Sequence, residues 1–307
     1  MSSAGKPLRT IDLKFMYGEI SALFLPKFNF LGSGEKKDMA DSQKRAIVFF
    51  AWGEKYISEV LNCIKVSHMP DYDKILITDQ VSEVPKCELK VIRANFQINS
   101  LLRKTELIDF LPDNYNSYLF LDSDTIVISD IEMGFAKAEL YGIAASPAPH
   151  YSLNHFWGFE KIMELEGVSC SSQLQYNTGV IFFSINVKKV LEVFRLWKEL
   201  GIKYQNIFEN DQPFFSLSME LLNFNPYTLS INYNYRGLGN LISGDVKIWH
   251  SHTEMPKNIN QFDVAWPARR VVDGKVIFSE DNNMTQSQPK HKIKNILKRI
   301  LNQPISE

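Results

Sequence analysis

YLFLDSDTIVI, residues 118–128, places an acidic pair between two apolar runs. Such runs are typical of a strand that is buried on both faces of a sheet. Burying a carboxylate without a partner is costly, so acidic residues in a run of this kind normally lie at the end of the strand or bind a metal ion. Asp122 and Asp124 are therefore the first candidates for a functional site.

On both sides of this stretch, short apolar strands alternate with helical patterns. The predicted strands span 46–51, 74–79, 89–92, 118–128, 141–145, 179–184 and 246–250, and the predicted helices span 53–64, 101–111, 187–197 and 211–222. Asn186 is the expected N-cap of the third helix. The alternation predicts an α/β fold with a mostly parallel sheet flanked by helices. In such sheets ligands bind beyond the carboxyl ends of the strands, where Ala51, Asp79 and Asp122 lie.

The composition narrows the class of protein. The 307 residues include 34 basic and 35 acidic side chains, and the net charge of −1 argues against a nucleic-acid-binding protein. The three cysteines form no CxxC pair, which excludes a disulfide scaffold or zinc ribbon and suits a reducing compartment. No apolar run is long enough to cross a bilayer, and the N-terminus lacks the apolar core of a signal peptide. The sequence thus predicts a cytoplasmic protein.

The acidic pair is compatible with three interpretations. In an extended strand, Asp122 and Asp124 would point to the same side, and Mg²⁺ or Mn²⁺ would relieve their repulsion and keep coordination positions for a diphosphate. Alternatively, they lie solvated at a strand end with a turn at Ser123. The third interpretation is a phosphotransferase of the haloacid-dehalogenase type, because an apolar strand that ends in DxDxT resembles the first motif of that family. That motif normally opens its fold, whereas several strand–helix units precede it here.

Motifs along residues 46–255 resemble those of the GT-A glycosyltransferases, and most closely glycosyltransferase family 8, the glycogenin and lipopolysaccharide galactosyltransferase type. In order, they are AIVFFAWGEKYISEVL, KILITD, LRKTELIDFLP, YLFLDSDTIVISDI, YNTGVIFFSIN, NDQPFF and IWHSHTEMPKN. The resemblance implies a GT-A nucleotide-diphospho-sugar transferase fold. It also implies transfer of a hexose, with retention at the anomeric carbon, from a UDP-sugar or related donor to a glycan, lipid-linked or protein acceptor. A catalytically silent protein that binds nucleotide sugars is the remaining alternative.

The resemblance implies a metal site. Asp122, Asp124 and His250 would bind Mn²⁺ (or Mg²⁺), with His250 in the position of the family's late metal-binding histidine. A borderline ion such as Mn²⁺ accepts one imidazole beside carboxylates. The ion would bridge the diphosphate of the donor and neutralise the charge that builds on the nucleoside diphosphate as it leaves.

The resemblance also implies three catalytic residues near the anomeric carbon of the donor sugar: Asn177, Asp211 and Gln212. Asn177 would hydrogen-bond a sugar hydroxyl. Asp211 would bind sugar hydroxyls or support the oxocarbenium-like charge of the transition state. Because Asp211 also starts a predicted helix, it is an expected N-cap.

A further group of residues is implied to bind the donor. These are Ala51, Trp52, Tyr56, Asp79, Lys104, Asp122, Ser123, Asp124, Gly179 and Lys257. Trp52 would stack on the base, and Lys104 would pair with phosphate. Gly179 would let the backbone approach the sugar closely. Lys257 is the candidate for the family's phosphate-contacting lysine, although the segment after His250 departs from the usual KPW-like ending.

The resemblance leaves both ends of the chain outside the catalytic domain. The expected organisation is an N-terminal extension over 1–45, a catalytic domain over 46–280 and a basic amphipathic tail helix over 281–307. The apolar residues of the tail fall on one helical face with lysines and an arginine beside it, a pattern typical of a helix on an anionic membrane surface. Alternatively, the tail packs on the domain or on another subunit. The sequence does not predict an oligomeric state.

Overall fold

The computed structural model describes residues 44–69, 72–86, 89–98, 100–153, 158–169, 171, 173–237, 244–251, 255, 269–272 and 275–278. The chain divides into two compact units, residues 1–42 and 43–307, and the described residues belong to the second. The predicted N-terminal extension up to residue 43, the candidate Lys257 and the predicted tail helix lie outside the described residues.

A seven-stranded sheet forms the centre of the described unit. In chain order the strands are β1 (Arg45–Phe50), β2 (Asp73–Thr78), β3 (Lys90–Arg93), β4 (Ser117–Leu121), β5 (Thr125–Val127), β6 (Ile143–Ser152), β7 (Leu174–Phe183), β8 (Tyr227–Thr228), β9 (Ile248–His250), β10 (Arg269–Val272) and β11 (Lys275–Phe278). The sheet has the order β3-β2-β1-β4-β7-β6-β8, while β5 pairs with β9 and β10 with β11. Strands β1 to β4 are parallel, and β7 is antiparallel to both of its neighbours, β4 and β6. The predicted α/β class with a mostly parallel sheet is confirmed.

Helices cover both faces of this sheet. They are α1 (Gly53–Val66), α2 (Glu132–Tyr141), α3 (Glu160–Leu165), α4 (Lys188–Tyr204) and α5 (Asp211–Leu221), together with 3-10 helices at Leu101–Phe110 and Ile231–Asn234. The side chains of β1 alternate between two cores: Val48 lies in one with Trp197 of α4, and Phe49 lies in the other with Val60 of α1. Burial on both faces explains why the strand sequences are continuously apolar.

The structure corrects several predicted boundaries. Leu101–Phe110 is a 3-10 helix rather than an α-helix. The predicted strand 141–145 begins only at Ile143, because α2 extends to Tyr141 and Gly142 then turns the chain with a φ of 89°. The predicted strand 246–250 is reduced to β9, which pairs with β5 and not with the central sheet.

The predicted cap at the start of α4 is also wrong. Asn186 lies within a turn in which the Val187 N–H donates to the Ser184 carbonyl at 3.4 Å. The helix therefore begins at Lys188, with Val187 at the N-cap and no side-chain hydrogen bond there. Among the described residues, no helix combines the length and the apolar character needed to cross a membrane.

Candidate active site

The acidic segment is a turn between two strands. Strand β4 ends at Leu121 and β5 begins at Thr125, so the prediction that an extended backbone aligns the two carboxylates is wrong. The turn is fixed because the Thr125 hydroxyl donates to the Asp122 carbonyl at 2.8 Å and the Asp122 N–H donates to the Gly179 carbonyl at 2.9 Å. The side chain of Asp124 is only 10% exposed, which argues against a solvated strand end.

This turn brings both carboxylates to His250, at the end of β9. The pairing of β5 with β9 places Thr125 opposite His250. The Nε2 atom of His250 lies 3.3 Å from Asp124 Oδ1 and 3.8 Å from Asp122 Oδ2. One ligand atom from each of the three residues lies within 4.8 Å of the others. Two carboxylates and one imidazole form a donor set that suits Mn²⁺ or Mg²⁺, so these residues fit the implied ion.

Gly179 of β7 leaves the space that the three side chains occupy. A Cβ atom at this position would lie 2.1 Å from His250 Cε1 and 2.7 Å from Asp122 Oδ2. Real Cβ atoms do not approach other atoms so closely, so any side chain here would displace a candidate metal ligand. The close approach of β7 therefore requires glycine.

Gly179→Ala is expected to weaken Mn²⁺ binding by about 10-fold or more, because the added methyl group displaces His250 or Asp122. Electron paramagnetic resonance of free Mn²⁺ in a titration measures this affinity. Val180→Ala is the matched control, since Val180 is the next residue of β7 and its side chain packs in the core. An alanine at 179 that left Mn²⁺ affinity unchanged would contradict the close packing.

Lys104 lies between two acidic groups. Its Nζ is 3.1 Å from Asp122 Oδ1 and 3.3 Å from Asp211 Oδ2. Burial acts against the charge, but attraction by the two carboxylates prevails and raises the pKa of Lys104 above its usual range. Burial raises the pKa of Asp122, and the charges of Lys104 and His250 act in the opposite direction. Lys104 thus ties the acidic turn to the start of α5.

The N-cap of helix α5 is Asn210 and not the predicted Asp211. The Asn210 side chain accepts a hydrogen bond from the Gln212 N–H at 3.0 Å. The predicted capping role of Asp211 is therefore wrong, because its carboxylate faces Lys104 instead. Asn177 Nδ2 donates to Gln212 Oε1 at 3.0 Å, which joins β7 to the same helix end.

Most of the predicted site residues line one cavity of about 390 Å³. They are Ala51, Trp52, Tyr56, Lys104, Asp122, Ser123, Asp124, Asn177, Gly179, Asp211, Gln212 and His250. Asp79 is not in this lining: its carboxylate accepts the Ser82 N–H at 2.7 Å, and although burial acts in the opposite direction, this bond helps to lower its pKa. Asp79 thus holds the turn after β2.

The same cavity contains a cation that sequence reasoning missed. Arg236 lines the pocket, and its Nε atom is buried without a hydrogen-bond partner among the described residues. It follows Tyr235, whose backbone bonds to Ile248 and His250 of β9. The segment carries no motif or periodic pattern, so only its pairing with β9 reveals that Arg236 belongs to the site.

Comparisons with known proteins support the fold. No family model and no curated protein matches the chain. Among solved structures, an active-site mutant of LgtC is 13% identical and has a TM-score of 0.50, and the match covers 71% of this chain and 91% of that one. Galactosyltransferase LgtC in complex with donor and acceptor sugar analogues is 13% identical, and the match covers 68% of this chain and 87% of that one with a TM-score of 0.47. Mouse xyloside xylosyltransferase 1 in its apo form is also 13% identical, and the match covers 69% of this chain and 99% of that one with a TM-score of 0.46. The chain has the predicted GT-A glycosyltransferase fold.

Proposed function

We propose that this protein is a metal-dependent glycosyltransferase that moves a hexose from a nucleotide-sugar donor, expected to be a UDP-sugar, to a glycan, lipid-linked or protein acceptor. The observation that carries the proposal is the convergence of Asp122, Asp124 and His250 at the wall of a cavity in a GT-A fold. The fold argues against a phosphotransferase of the dehalogenase type. An intact donor set for a cation argues against a catalytically silent binding protein.

Two groups of residues in the cavity divide the chemistry. A divalent ion held by the Asp122, Asp124 and His250 side chains would offset the negative charge of the leaving diphosphate. In the second group, Gln212 and Asn177 offer amide groups to sugar hydroxyls, and Lys104 Nζ holds Asp211 in place at a distance of 3.3 Å. A fixed carboxylate near the anomeric carbon stabilises an oxocarbenium-like transition state. We expect retention of configuration at that carbon.

The charged side chains that line the cavity indicate a role for Arg236 in donor binding. Three carboxylates, Asp122, Asp124 and Asp211, face two cations, Lys104 and Arg236. A bound divalent ion turns the net charge of these groups from negative to positive, which favours binding of the anionic diphosphate. Lys104 is already shared by two carboxylates, whereas the Arg236 Nε has no hydrogen-bond partner within the part of the chain that the structure describes. Arg236 is therefore proposed to bind a phosphate oxygen of the donor, as guanidinium groups commonly do.

Arg236→Met is expected to weaken the affinity for UDP in the presence of Mn²⁺ by about 10-fold or more, since a hydrogen bond between charged groups contributes roughly 1.5–3 kcal/mol. Isothermal titration calorimetry measures this affinity. Arg195→Met is the matched control, because Arg195 is exposed on α4 outside the cavity. Equal UDP affinity in the Arg236 variant and the wild type would remove Arg236 from the donor site.

The decisive test is slow hydrolysis of UDP-sugars, which glycosyltransferases catalyse when no acceptor is present. Purified protein is incubated with Mn²⁺ and a panel of UDP-hexoses, and the release of UDP is followed. Mn²⁺-dependent release supports the proposal, and nuclear magnetic resonance of the freed sugar or of the transfer product then reports its anomeric configuration. Phosphomonoester hydrolysis without any turnover of nucleotide sugars would overturn the proposal, and so would donor binding without turnover of any donor–acceptor pair.

The predicted tail bears on the choice of acceptor. The predicted tail over 281–307 has the pattern of a helix that binds an anionic membrane surface, and a lipid-linked acceptor would suit an enzyme held there. A glycan or a protein acceptor requires no such surface.

A further inference from the structure

The second ring nitrogen of His250 is directed away from the carboxylates. His250 Nδ1 lies 2.8 Å from Asn234 Oδ1, and both side chains are buried. An imidazole binds a cation through Nε2 only when that nitrogen carries no hydrogen. The location of the ring hydrogen therefore decides whether His250 can complete the site with Asp122 and Asp124.

A chain of amide groups fixes this hydrogen, and it begins at a main-chain donor. The Gly179 N–H donates to the Asn177 side chain at 2.9 Å, so the accepting atom must be Oδ1. The same oxygen lies 2.8 Å from the Asn234 side chain, whose nearest atom must then be the donor Nδ2. Asn234 therefore presents its Oδ1 to His250. At 2.8 Å this oxygen requires a hydrogen on Nδ1.

The far end of the chain agrees with this assignment. With its oxygen towards Gly179, Asn177 donates through Nδ2 to Gln212 Oε1 at 3.0 Å. Gln212 in turn donates through Nε2 to Gln175 Oε1 at 3.0 Å. Reversing Asn177 would place its amide hydrogens against the Gly179 N–H, so the direction of the chain follows from the backbone of β7.

We propose that Asn234 is a positioning residue that keeps the hydrogen of His250 on Nδ1 and thereby turns the free electron pair of Nε2 towards the cation site. The inference rests on the metal site of the proposed function. With this tautomer, Nε2, which lies 3.3 Å from Asp124 Oδ1 and 3.8 Å from Asp122 Oδ2, presents an electron pair beside the two carboxylates, where a cation would bind. The same amide chain joins this site to Asn177 and Gln212 on the sugar side.

The ring hydrogen can be observed directly in the metal-free protein. Long-range ¹H–¹⁵N correlation spectra of protein labelled with ¹⁵N-histidine, recorded at a pH at which imidazole is uncharged, distinguish the two tautomers. The His250 signals are assigned by their loss in His250→Gln. The wild type is expected to show the hydrogen on Nδ1. Asn234→Asp should preserve this tautomer, because a carboxylate also accepts from Nδ1–H, whereas Asn234→Ala should shift the population towards the hydrogen on Nε2.

Mn²⁺ affinity gives the second readout. Residues that orient a metal-binding histidine typically contribute about 10- to 100-fold to metal affinity, so Asn234→Ala should weaken Mn²⁺ binding by that factor, and Asn234→Asp should restore most of it. Asn232→Ala is the matched control. Asn232 is a buried asparagine of the same 3-10 helix, and its side chain donates to the Asp245 carbonyl. Its replacement should change neither the tautomer nor the affinity.

Two outcomes would overturn the inference: a wild-type His250 with its hydrogen mainly on Nε2, or an Asn234→Ala variant with wild-type tautomer and Mn²⁺ affinity. The wild-type spectrum decides the question even if the alanine variant does not fold. These results are separable from failure of the proposed function. A protein with the expected tautomer and Asn234-dependent Mn²⁺ binding, but no donor turnover, would support Asn234 and contradict the transferase.

Discussion

Asp124→Asn is expected to abolish measurable Mn²⁺ binding and to lower Mn²⁺-dependent donor turnover by about 10²-fold or more. Asp124 Oδ1 lies 3.3 Å from His250 Nε2, and its side chain is 10% exposed. An amide of the same shape keeps the packing but removes the negative charge that attracts a hard cation. Asp124 is preferred to Asp122 for this test because Asp122 also pairs with Lys104.

The matched control for this variant is Ser123→Ala. Ser123 stands between the two carboxylates in sequence, but its hydroxyl donates to Glu59 Oε2 of α1 at 2.8 Å. Its replacement should leave Mn²⁺ affinity within a few-fold of the wild type, in line with about 1 kcal/mol for an ordinary hydrogen bond. Affinity is measured by electron paramagnetic resonance and turnover by release of UDP. Tight Mn²⁺ binding by Asp124→Asn would place the ion elsewhere.

The central strands could be predicted because a strand that is buried on both faces has a continuously apolar sequence. Phe49 of β1 and Leu119 of β4 pack on one side of the sheet, and Val48 and Phe120 on the other, so every position is apolar. Periodicity does not show where such a strand stops. For this reason the sequence leaves the turn at Ser123 as one alternative to a continuous strand, although it predicts that the two carboxylates come together.

Site residues that belong to a recognisable sequence motif were predicted, whereas residues that only tertiary contacts bring to the site were not. Asn210 and Asp211 are equally good caps by residue type, and only Lys104, over a hundred residues earlier in the chain, shows why the asparagine caps α5. Asn234 and Arg236 lie in a segment without regular spacing. The backbone pairing of Tyr235 with Ile248 and His250 brings Arg236 to the cavity and Asn234 to His250, and no feature of the local sequence predicts that pairing.

Lys104→Met is expected to lower the free energy of unfolding by about 3–5 kcal/mol, the usual consequence of removing one partner from a buried ion pair. The Lys104 side chain is 12% exposed and contacts Asp122 at 3.1 Å and Asp211 at 3.3 Å. Methionine fills a similar volume but leaves both carboxylates without this cation. Chemical denaturation without divalent ions measures the loss.

The control for Lys104→Met is a variant that removes the cation of a more exposed ion pair. Lys198→Met removes a cation that lies 2.6 Å from Asp109 Oδ2, a carboxylate that is 39% exposed, and should cost at most about 1 kcal/mol. The double variant Lys104→Met/Asp211→Asn should recover part of the stability lost in Lys104→Met, because one of the two stranded charges is gone. If the double variant recovered no stability, the contributions of Asp211 and Lys104 to the free energy of unfolding would be independent.

Mn²⁺ should stabilise Lys104→Met more than it stabilises the wild type. Lys104 Nζ lies 3.1 Å from Asp122 Oδ1 and 3.4 Å from Oδ2, the oxygen that faces His250, so the lysine and a metal ion attract the same carboxylate. Without the lysine, the ion becomes the main source of positive charge for Asp122, and its binding contributes more to the folded state. Thermal unfolding with and without Mn²⁺ measures both shifts. A smaller shift in Lys104→Met than in the wild type would show that Lys104 assists metal binding, for instance by orienting Asp122, and does not compete with the ion.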